Sequence, residues 1–476
     1  MKLIQDGAKK LTLLGVIISL TACVSDASYQ TLSVPPAVQP QFQVPDSSPQ
    51  INSEEVLVSW WESLGDAQLS ALVNDAMQHN NDVGIAIANL ERARSDLRGA
   101  GLELLPDIGS SISASDQRLA DAAAIGFSDN RFTQYQAGFD ASWELDLFGR
   151  LRQQRLAARA DLAATQAELD QVYVSVAAEV ARSYIQLRGA QLRLSVGERN
   201  VDVISQSADL TQQLLDGGLG DNLDVQRALA QLELARAALP SLRAQVAMNI
   251  NRLSVLTGQM PAALHNSLSS PQGLPSIPPS IAVGDPIELL KRRPDIRIAE
   301  RQLASAIARY KVSVAQLYPQ VSISGSIGFL ATAFADLGSA GTLTHIVGPN
   351  ITWDAFNFGR LQNQIDAADA GIQAQLEVFE KTLLSSFEEV DNAMVTLTSE
   401  IERQESLRAA AQASAQTSDI ARQRFEAGAD SFLDLLDAQR TQLAAEDQLA
   451  SSETALALQV IVLYKALGGG WQLHVN

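Results

Sequence analysis

From Gln134 to Leu147 polar and apolar residues alternate without a break. Gln134, Gln136, Gly138, Asp140, Ser142, Glu144 and Asp146 fall in one set, and Tyr135, Ala137, Phe139, Ala141, Trp143, Leu145 and Leu147 in the other. A period of two puts each set on its own face of a β-strand. The same alternation runs through Ile108, Ser110 and Ile112, and through Val321, Ile323, Gly325, Ile327 and Phe329. It is more ragged from Leu343 to Phe358, where Pro349 interrupts it. The pattern predicts four strands at about 107–119, 133–148, 320–330 and 342–358, paired as two hairpins with tips near 120–132 and 331–341. Each is as long as the roughly 9 to 11 residues that a tilted strand needs to cross a membrane. Period two alone also fits the half-buried sheet of a soluble domain.

A helical period follows each hairpin. Gly149 to Leu215 contains no proline, and Tyr173, Val180, Leu187, Leu194, Val201, Ala208 and Leu215 recur every seven residues. Between them fall Val176, Ser183, Ala190, Gly197, Ile204 and Thr211, mostly small, which reads as a coiled-coil seam with close helix approach. The predicted helix over 150–216 is roughly 100 Å long, and its return over 222–257 only roughly 54 Å. The second half repeats this with helices at about 360–427 and 433–467. A helix ahead of each hairpin, about Leu69 to Leu104 and Pro294 to Leu317, has a length suited to stacking on the return helix.

The two halves are copies. An offset of 210 aligns Trp143 with Trp353, Phe148-Gly149-Arg150-Leu151 with Phe358-Gly359-Arg360-Leu361, and Leu223-Asp224 with Leu433-Asp434. No gap is needed over this stretch, so the body reads as an ancestral duplication. Upstream, Leu105-Pro106 answers Tyr318-Pro319 at a slightly different offset. The expected organisation is a first repeat at 59–258, a proline-rich linker at 259–286, a second repeat at 287–468 and a tail at 469–476.

Four strands cannot close a membrane barrel, because open sheet edges are not tolerated in lipid. Two copies would give eight strands and a filled interior; three give twelve and room for a lumen. The expectation is a homotrimer.

The amino terminus changes the picture from a soluble sheet to an exported one. Lys2, Lys9 and Lys10 precede an apolar run, Leu11 to Leu20, too short for a permanent bilayer helix. Residues 1–22 read as a signal peptide ending in Leu20-Thr21-Ala22-Cys23, which resembles the bacterial lipobox. That resemblance implies lipid on Cys23, and Val24 after it favours the outer membrane. An ordinary signal peptide with an incidental cysteine is the alternative. Residues 23–58, rich in proline, read as a tether. The formal charge of −19 excludes a strongly basic nucleic-acid binder. A single cysteine and four scattered histidines offer no disulfide, thiolate cage or catalytic constellation. The chain is expected not to be an enzyme and to carry no cofactor beyond the covalent lipid on Cys23.

Several motifs together carry a family resemblance. Arg292-Arg293-Pro294-Asp295-Ile296-Arg297-Ile298-Ala299-Glu300, the Trp60-Trp61 pair before Leu64, the repeated Phe-Gly-Arg and the two Gly-to-Leu-Asp turns are similar to the TolC/OprM outer-membrane factors. The narrower likeness is to the lipoprotein, NodT-type branch that serves tripartite efflux pumps. The resemblance implies a mainly α fold with a membrane β-barrel, in which a coiled-coil α-barrel and four strands per chain are completed to twelve strands in a trimer. It implies an outer-membrane exit duct reaching into the periplasm, with a periplasmic membrane-fusion adaptor and an inner-membrane RND-type transporter as partners. By the same likeness Asp434 and Asp437 project into the lumen as an acidic periplasmic gate. Asp224 matches Asp434 in the first copy, but Arg227 stands where Asp437 does. The turns holding Gly218, Leu223, Gly428, Ser431 and Leu433 would form the tip that meets the adaptor, with Ser431 or Asp430 also able to cap a helix. Arg292 to Glu300 reads as a helix start, with Asp295 and Glu300 able to pair with Arg297 and Arg301 in a structural role. A type I secretion duct and a non-conducting lipid-anchored coiled-coil scaffold remain alternatives.

Overall fold

The computed structural model describes residues 51–52, 58–118, 120, 131–278, 280–283 and 292–471. Cys23, the signal peptide and most of the 23–58 tether lie outside these residues. The described residues form two compact units, one from Leu90–Thr165 and Ile298–Phe379, the other from those up to Asn89 together with Gln166–Arg297 and 380–471.

The first unit contains a four-stranded antiparallel sheet. β1 (Asp107–Arg118), β2 (Arg131–Glu144), β3 (Gln320–Ala331) and β4 (Leu343–Thr352) lie side by side in chain order, so β2 against β3 joins the two repeats. Two strand ends differ from the sequence expectation. β2 stops at Glu144 rather than 148, because Asp146 turns the chain at φ 42 and its carboxylate accepts from the amides of Leu151 (2.9 Å) and Arg152 (3.0 Å). β4 stops at Thr352 rather than 358, and the next helix already begins at Phe358. Pro349 does not interrupt β4. It pairs opposite Ile323 on an edge strand, where a missing N–H breaks no bond of the ladder. Gly138 and Gly328 face each other across β2 and β3, and a Cβ on Gly328 would lie 2.5 Å from the Ala137 carbonyl oxygen, so only glycine allows this approach.

The helices are α1 (Ala67–His79), α2 (Asn81–Leu102), α3 (Arg150–Asp216), α4 (Asn222–Leu256), α5 (Pro294–Ala315), α6 (Phe358–Glu426) and α7 (Phe432–Ala466). α3 and α6 run unbroken for 67 and 69 residues. The single helix expected from Leu69 to Leu104 is instead two, broken at Asn80, whose ψ of 133 leaves the helical region. Asp66 caps α1 by accepting from the amides of Gln68 and Leu69. Along the α3 seam Val180 and Leu187 are fully buried, and Tyr173, Val176, Ser183, Ala190, Ile204, Ala208 and Thr211 are buried.

The second unit's core gathers the residues around the tryptophan pair. Trp60 and Trp61 are fully buried, and Trp60 stacks on Tyr464 of α7 with centroids 5.2 Å apart. The proline-rich stretch after α4 is held against α3 rather than lying free. Gln191 donates to the Leu268 carbonyl (2.7 Å) and Arg188 to the Ser270 carbonyl (3.0 Å). Arg188 is itself fully buried and lies over the Tyr184 ring, whose hydroxyl donates to Asp66 at 2.7 Å. Burial, reinforced by that bond to Asp66, pushes the Tyr184 phenol up to about 12.

Candidate functional site

One face of the sheet is mostly apolar and the other mostly polar, with Ile346 and Leu330 on the polar face and Ser110 and His345 on the apolar one. The ladder registers put Ile108, Phe139, Ile327 and Val347 on one face and Ser111, Asp140, Ser326 and Asn350 on the other. The apolar face is bare: Ile112 is 85% exposed, Val347 73% and Phe139 62%. A continuous apolar surface of this kind is unstable in water and suits lipid. Each repeat also ties the elbow between its helix and its strand with a tryptophan. Trp143 donates to the Leu104 carbonyl and Trp353 to the Leu317 carbonyl, both at 3.0 Å. An amphipathic ring of this type fits the boundary of a bilayer. Among the described residues β1 and β4 are the two outer strands, so each leaves one row of backbone groups without a sheet partner there.

The two helix turns in the second unit have one backbone design and different charges. Gly218 and Gly428 end α3 and α6 at φ 70 and 71, a left-handed conformation that glycine adopts without a Cβ penalty. Asp221 caps α4 through the Leu223 amide, and Ser431 caps α7 in a capping box with Asp434. Leu219, Leu223 and Leu433 point outward, 83%, 51% and 53% exposed.

Asp434 accepts from the Ser431 hydroxyl (2.7 Å) and amide (3.2 Å). Those bonds, helped by the charge of Arg424, hold its carboxyl below the usual range. Asp430 does not cap; it forms a two-pronged pair with Arg424 at 2.6 and 2.8 Å. Asp430, Asp434 and Asp437 line one recess of about 430 Å³ with Arg424 and Thr441. In the first repeat Asp224 is instead paired with Arg227 at 3.2 Å. The matched aspartates therefore stand in different electrostatic settings.

Arg293 is the hub of the charged run. It is buried, donates to the Ala466 carbonyl at the end of α7 (2.7 Å), and reaches Asp295 (2.7 Å) and Glu389 (2.7 Å). Burial works against its charge, but Asp295 and then Glu389 more than offset that and raise its pKa. Asp295 thus pairs with Arg293 and not with Arg297, contrary to the sequence expectation. Arg297 pairs with Asp170 (2.9 Å) and lies over Trp471, while Arg301 does meet Glu300 at 3.6 Å.

The first repeat holds a twin of this contact that no local pattern announces. Asn80 donates to the Leu256 carbonyl at the end of α4 (2.8 Å), the position that corresponds to Ala466. The signal was available, since an offset of 213 carries Asn80-Asn81 onto Arg293-Pro294, each pair opening a 22-residue helix. Arg188 is not legible in the sequence, because a lone arginine inside a heptad pattern looks like solvated helix surface.

Among known proteins, the chain matches the family model for outer membrane efflux proteins over residues 72–259 and 286–469. The probable efflux pump outer membrane protein TtgC of Pseudomonas putida is 29% identical, covering 95% of this chain and 93% of the relative. The pyoverdine export outer membrane protein OpmQ of Pseudomonas aeruginosa is 30% identical, with 87% of each chain covered. Among solved structures, the outer-membrane channel OprN is similar with a TM-score of 0.85 and 37% identity, covering 91% of this chain and 99% of that one. The open state of the Neisseria gonorrhoeae MtrE outer membrane channel gives a TM-score of 0.78 and 27% identity, covering 92% and 97%. The chain therefore belongs to the outer membrane efflux protein family, a family of transport conduits rather than enzymes, and is an efflux exit channel located in the outer membrane and extending into the periplasm.

Proposed function

We propose that three copies close into one duct of twelve strands, which takes substrates from an inner-membrane RND-type transporter through a periplasmic membrane-fusion adaptor and passes them to the outside. One observation carries the oligomer: a sheet with an exposed apolar face and two unpaired edges, which a bilayer accepts only when closed. Relatives are named for toluene, antibiotic and pyoverdine export, cargoes without shared chemistry, so the choice of substrate belongs upstream of the duct. The outward leucines at the two turns, Leu223 and Leu433 beside Gly218, Gly428 and Ser431, supply the adaptor surface. Lipid on Cys23 supplies a second hold on the outer membrane.

Asp434 and Asp437, with Asp224 paired to Arg227, form the periplasmic gate in this reading. Three copies would bring six carboxylates of the second repeat, Asp434 and Asp437 of each, around one axis, with the nearby Arg424 held by Asp430, a field that concentrates cations. Planar-bilayer recording of the purified protein tests this. The wild type should show cation-selective single channels, and D434A/D437A should lose much of that selectivity and of its block by trivalent cations. Unchanged selectivity and block in the double variant would place the constriction elsewhere, and no conductance with either protein would refute the duct.

A further inference from the structure

Lysine and arginine are nearly absent from the four strands. They occur only at Arg118, the last residue of β1, and Arg131, the first of β2, and the ladder sets these two directly opposite each other. Like charges opposed in this way destabilise a strand pair unless an anion offsets them. Asp116 does so on one side: its carboxylate accepts from Nε and Nη2 of Arg131 at 3.1 and 2.5 Å. Arg118 is exposed, and no ion pair joins it to another described residue.

The fold does not require this pair of cations. Moving β1 by 213 positions and β2 by 210 carries Asp107↔Ser142 onto Gln320↔Thr352, the pair observed where β3 meets β4. The same offsets carry Arg118 and Arg131 onto Ala331 and Gly341, so the second repeat builds the corresponding hairpin without either charge.

Position on the sheet says what the arginines meet. Arg118, Arg131 and Asp116 fall on the face that carries Ile112 and Phe139, the face suited to lipid. That face runs from Trp143, at the end where the helices join, to Tyr135 near the hairpin tips, where the ring of Phe334 packs edge-on at 5.7 Å. Phe334 is itself 70% exposed. Eight residues lie between the two aromatic positions. At about 3.3 Å each and a tilt of about 40° they span about 20 Å of membrane, close to the apolar band of roughly 25 Å in such barrels. Arg131 lies four residues beyond Tyr135. That is about 10 Å further out, where a long side chain reaches the lipid headgroups while its stem covers apolar surface.

We infer that Arg118 and Arg131 hold a phosphate group of an outer-leaflet glycolipid, with Tyr135 and Phe334 below them against its acyl chains. This rests on the membrane duct proposed above, whose hairpin tips face outward. The guanidinium fork matches the paired oxygens of a phosphate, and a phosphate monoester, with close to two negative charges, relieves the opposition that Asp116 offsets only on the Arg131 side. The apolar face continues into the site without a break, so one lipid meets both parts. Each chain has one such site, on its first repeat.

Native mass measurement of the full chain in mild detergent, with added lipid, tests the site. The probes are diphosphoryl lipid A, the same lipid with its phosphates removed, and inorganic phosphate. The wild type should bind diphosphoryl lipid A saturably, one per chain, and at least about tenfold more tightly than the dephosphorylated form. R118A/R131A should keep the oligomer, as the uncharged second repeat indicates, and lose that preference. R236A, which removes an exposed arginine of α4, should behave as the wild type. Equal binding of both lipid forms by the wild type would show that only acyl chains are held, a result that needs no variant and overturns the site. An undiminished preference in R118A/R131A would place the phosphate elsewhere and overturn it too. Displacement of the lipid by inorganic phosphate at equal concentration would make a free anion the ligand and overturn the lipid. The oligomer is read in the same spectra: a monomeric wild type counts against the closed duct, whereas a trimer without the phosphate preference overturns the lipid site alone.

Discussion

Replacing Arg293 by methionine should release the end of α7. The guanidinium is buried and joined to four groups: the Ala466 carbonyl at 2.7 Å, the Ser386 carbonyl at 3.5 Å, and the carboxylates of Asp295 and Glu389. The short charged bond to Ala466 is worth about 1.5 to 3 kcal/mol, because its loss strands a buried carbonyl. The two ion pairs add less. Asp295 and Glu389 are 31% and 59% exposed, so both carboxylates rehydrate when the arginine is gone, and together they contribute about 1 kcal/mol. Methionine keeps most of the packing volume, which separates lost polar contacts from a cavity. The expected local destabilisation is about 2 to 4 kcal/mol, or about 30- to 1000-fold in an opening equilibrium.

Amide hydrogen exchange reads this directly, whereas thermal unfolding of a membrane oligomer is apt to be irreversible. Amides of residues 463–469 should exchange faster in R293M by at least about 30-fold, with α4 unaffected. Asn80→Ala is the internal comparison. It removes the matching but uncharged bond to Leu256, together with the bond that Asn80 accepts from the Asp82 amide, and should cost about 1 to 3 kcal/mol, seen at residues 253–259 and in the first turn of α2 but not at the end of α7. Unchanged exchange at the end of α7 in R293M would show that the carbonyl is satisfied without the arginine and would refute the reasoning.

Other outcomes follow from the same contacts. Because Asp434 is held below its ordinary value, the cap it makes is fully present above the unfolded carboxylate pKa and is lost as pH falls through the lower folded value. The Ser431 amide resonance should therefore titrate below 3.8, and Ser431→Ala should move that midpoint upward. Ultraviolet titration should find Tyr184 ionising near 12, and Asp66→Asn should lower it by removing a charge that opposes the phenolate. Cys23→Ser should abolish incorporation of labelled palmitate; equal labelling of both proteins would refute lipidation.

What the sequence disclosed was whatever repeats with a fixed period. The strands and the two long helices were legible because period two and period seven persist for many residues, whereas the ends of β2 and β4 were not, since the alternation runs on past them. Asp146 ended β2 by capping α3, an event set by one carboxylate and invisible to alternation. The break at Asn80 was hidden for a different reason. Asparagine neither forbids a helix as proline does nor interrupts the apolar spacing, so the break shows only in what its side chain does: its oxygen accepts from the Asp82 amide to cap α2, and its nitrogen donates to the Leu256 carbonyl, 176 positions away. Partners of buried charges were the least legible. Local spacing offered Arg297 to Asp295, but Asp170 lies 127 positions off and took it.

The duplication explains why the turns share a backbone and differ in chemistry. The change of offset from 213 to 210 falls between β1 and β2, in the hairpin tip, where a length difference disturbs neither strand register nor helix phase. Selection could then alter one repeat's side chains without altering its geometry. It has done so at two places: Asn80 against Arg293 at the helix ends, and the Asp224–Arg227 pair against Asp434 and Asp437 at the turns. At the turns the first repeat sets Arg227 beside Asp224 where the second sets Asp437 beside Asp434. Yet Asp216 and Asp221 keep the first turn acidic, and Arg424 pairs with Asp430 in the second. The two turns therefore differ in which carboxylate is offset and not in the sign of their charge.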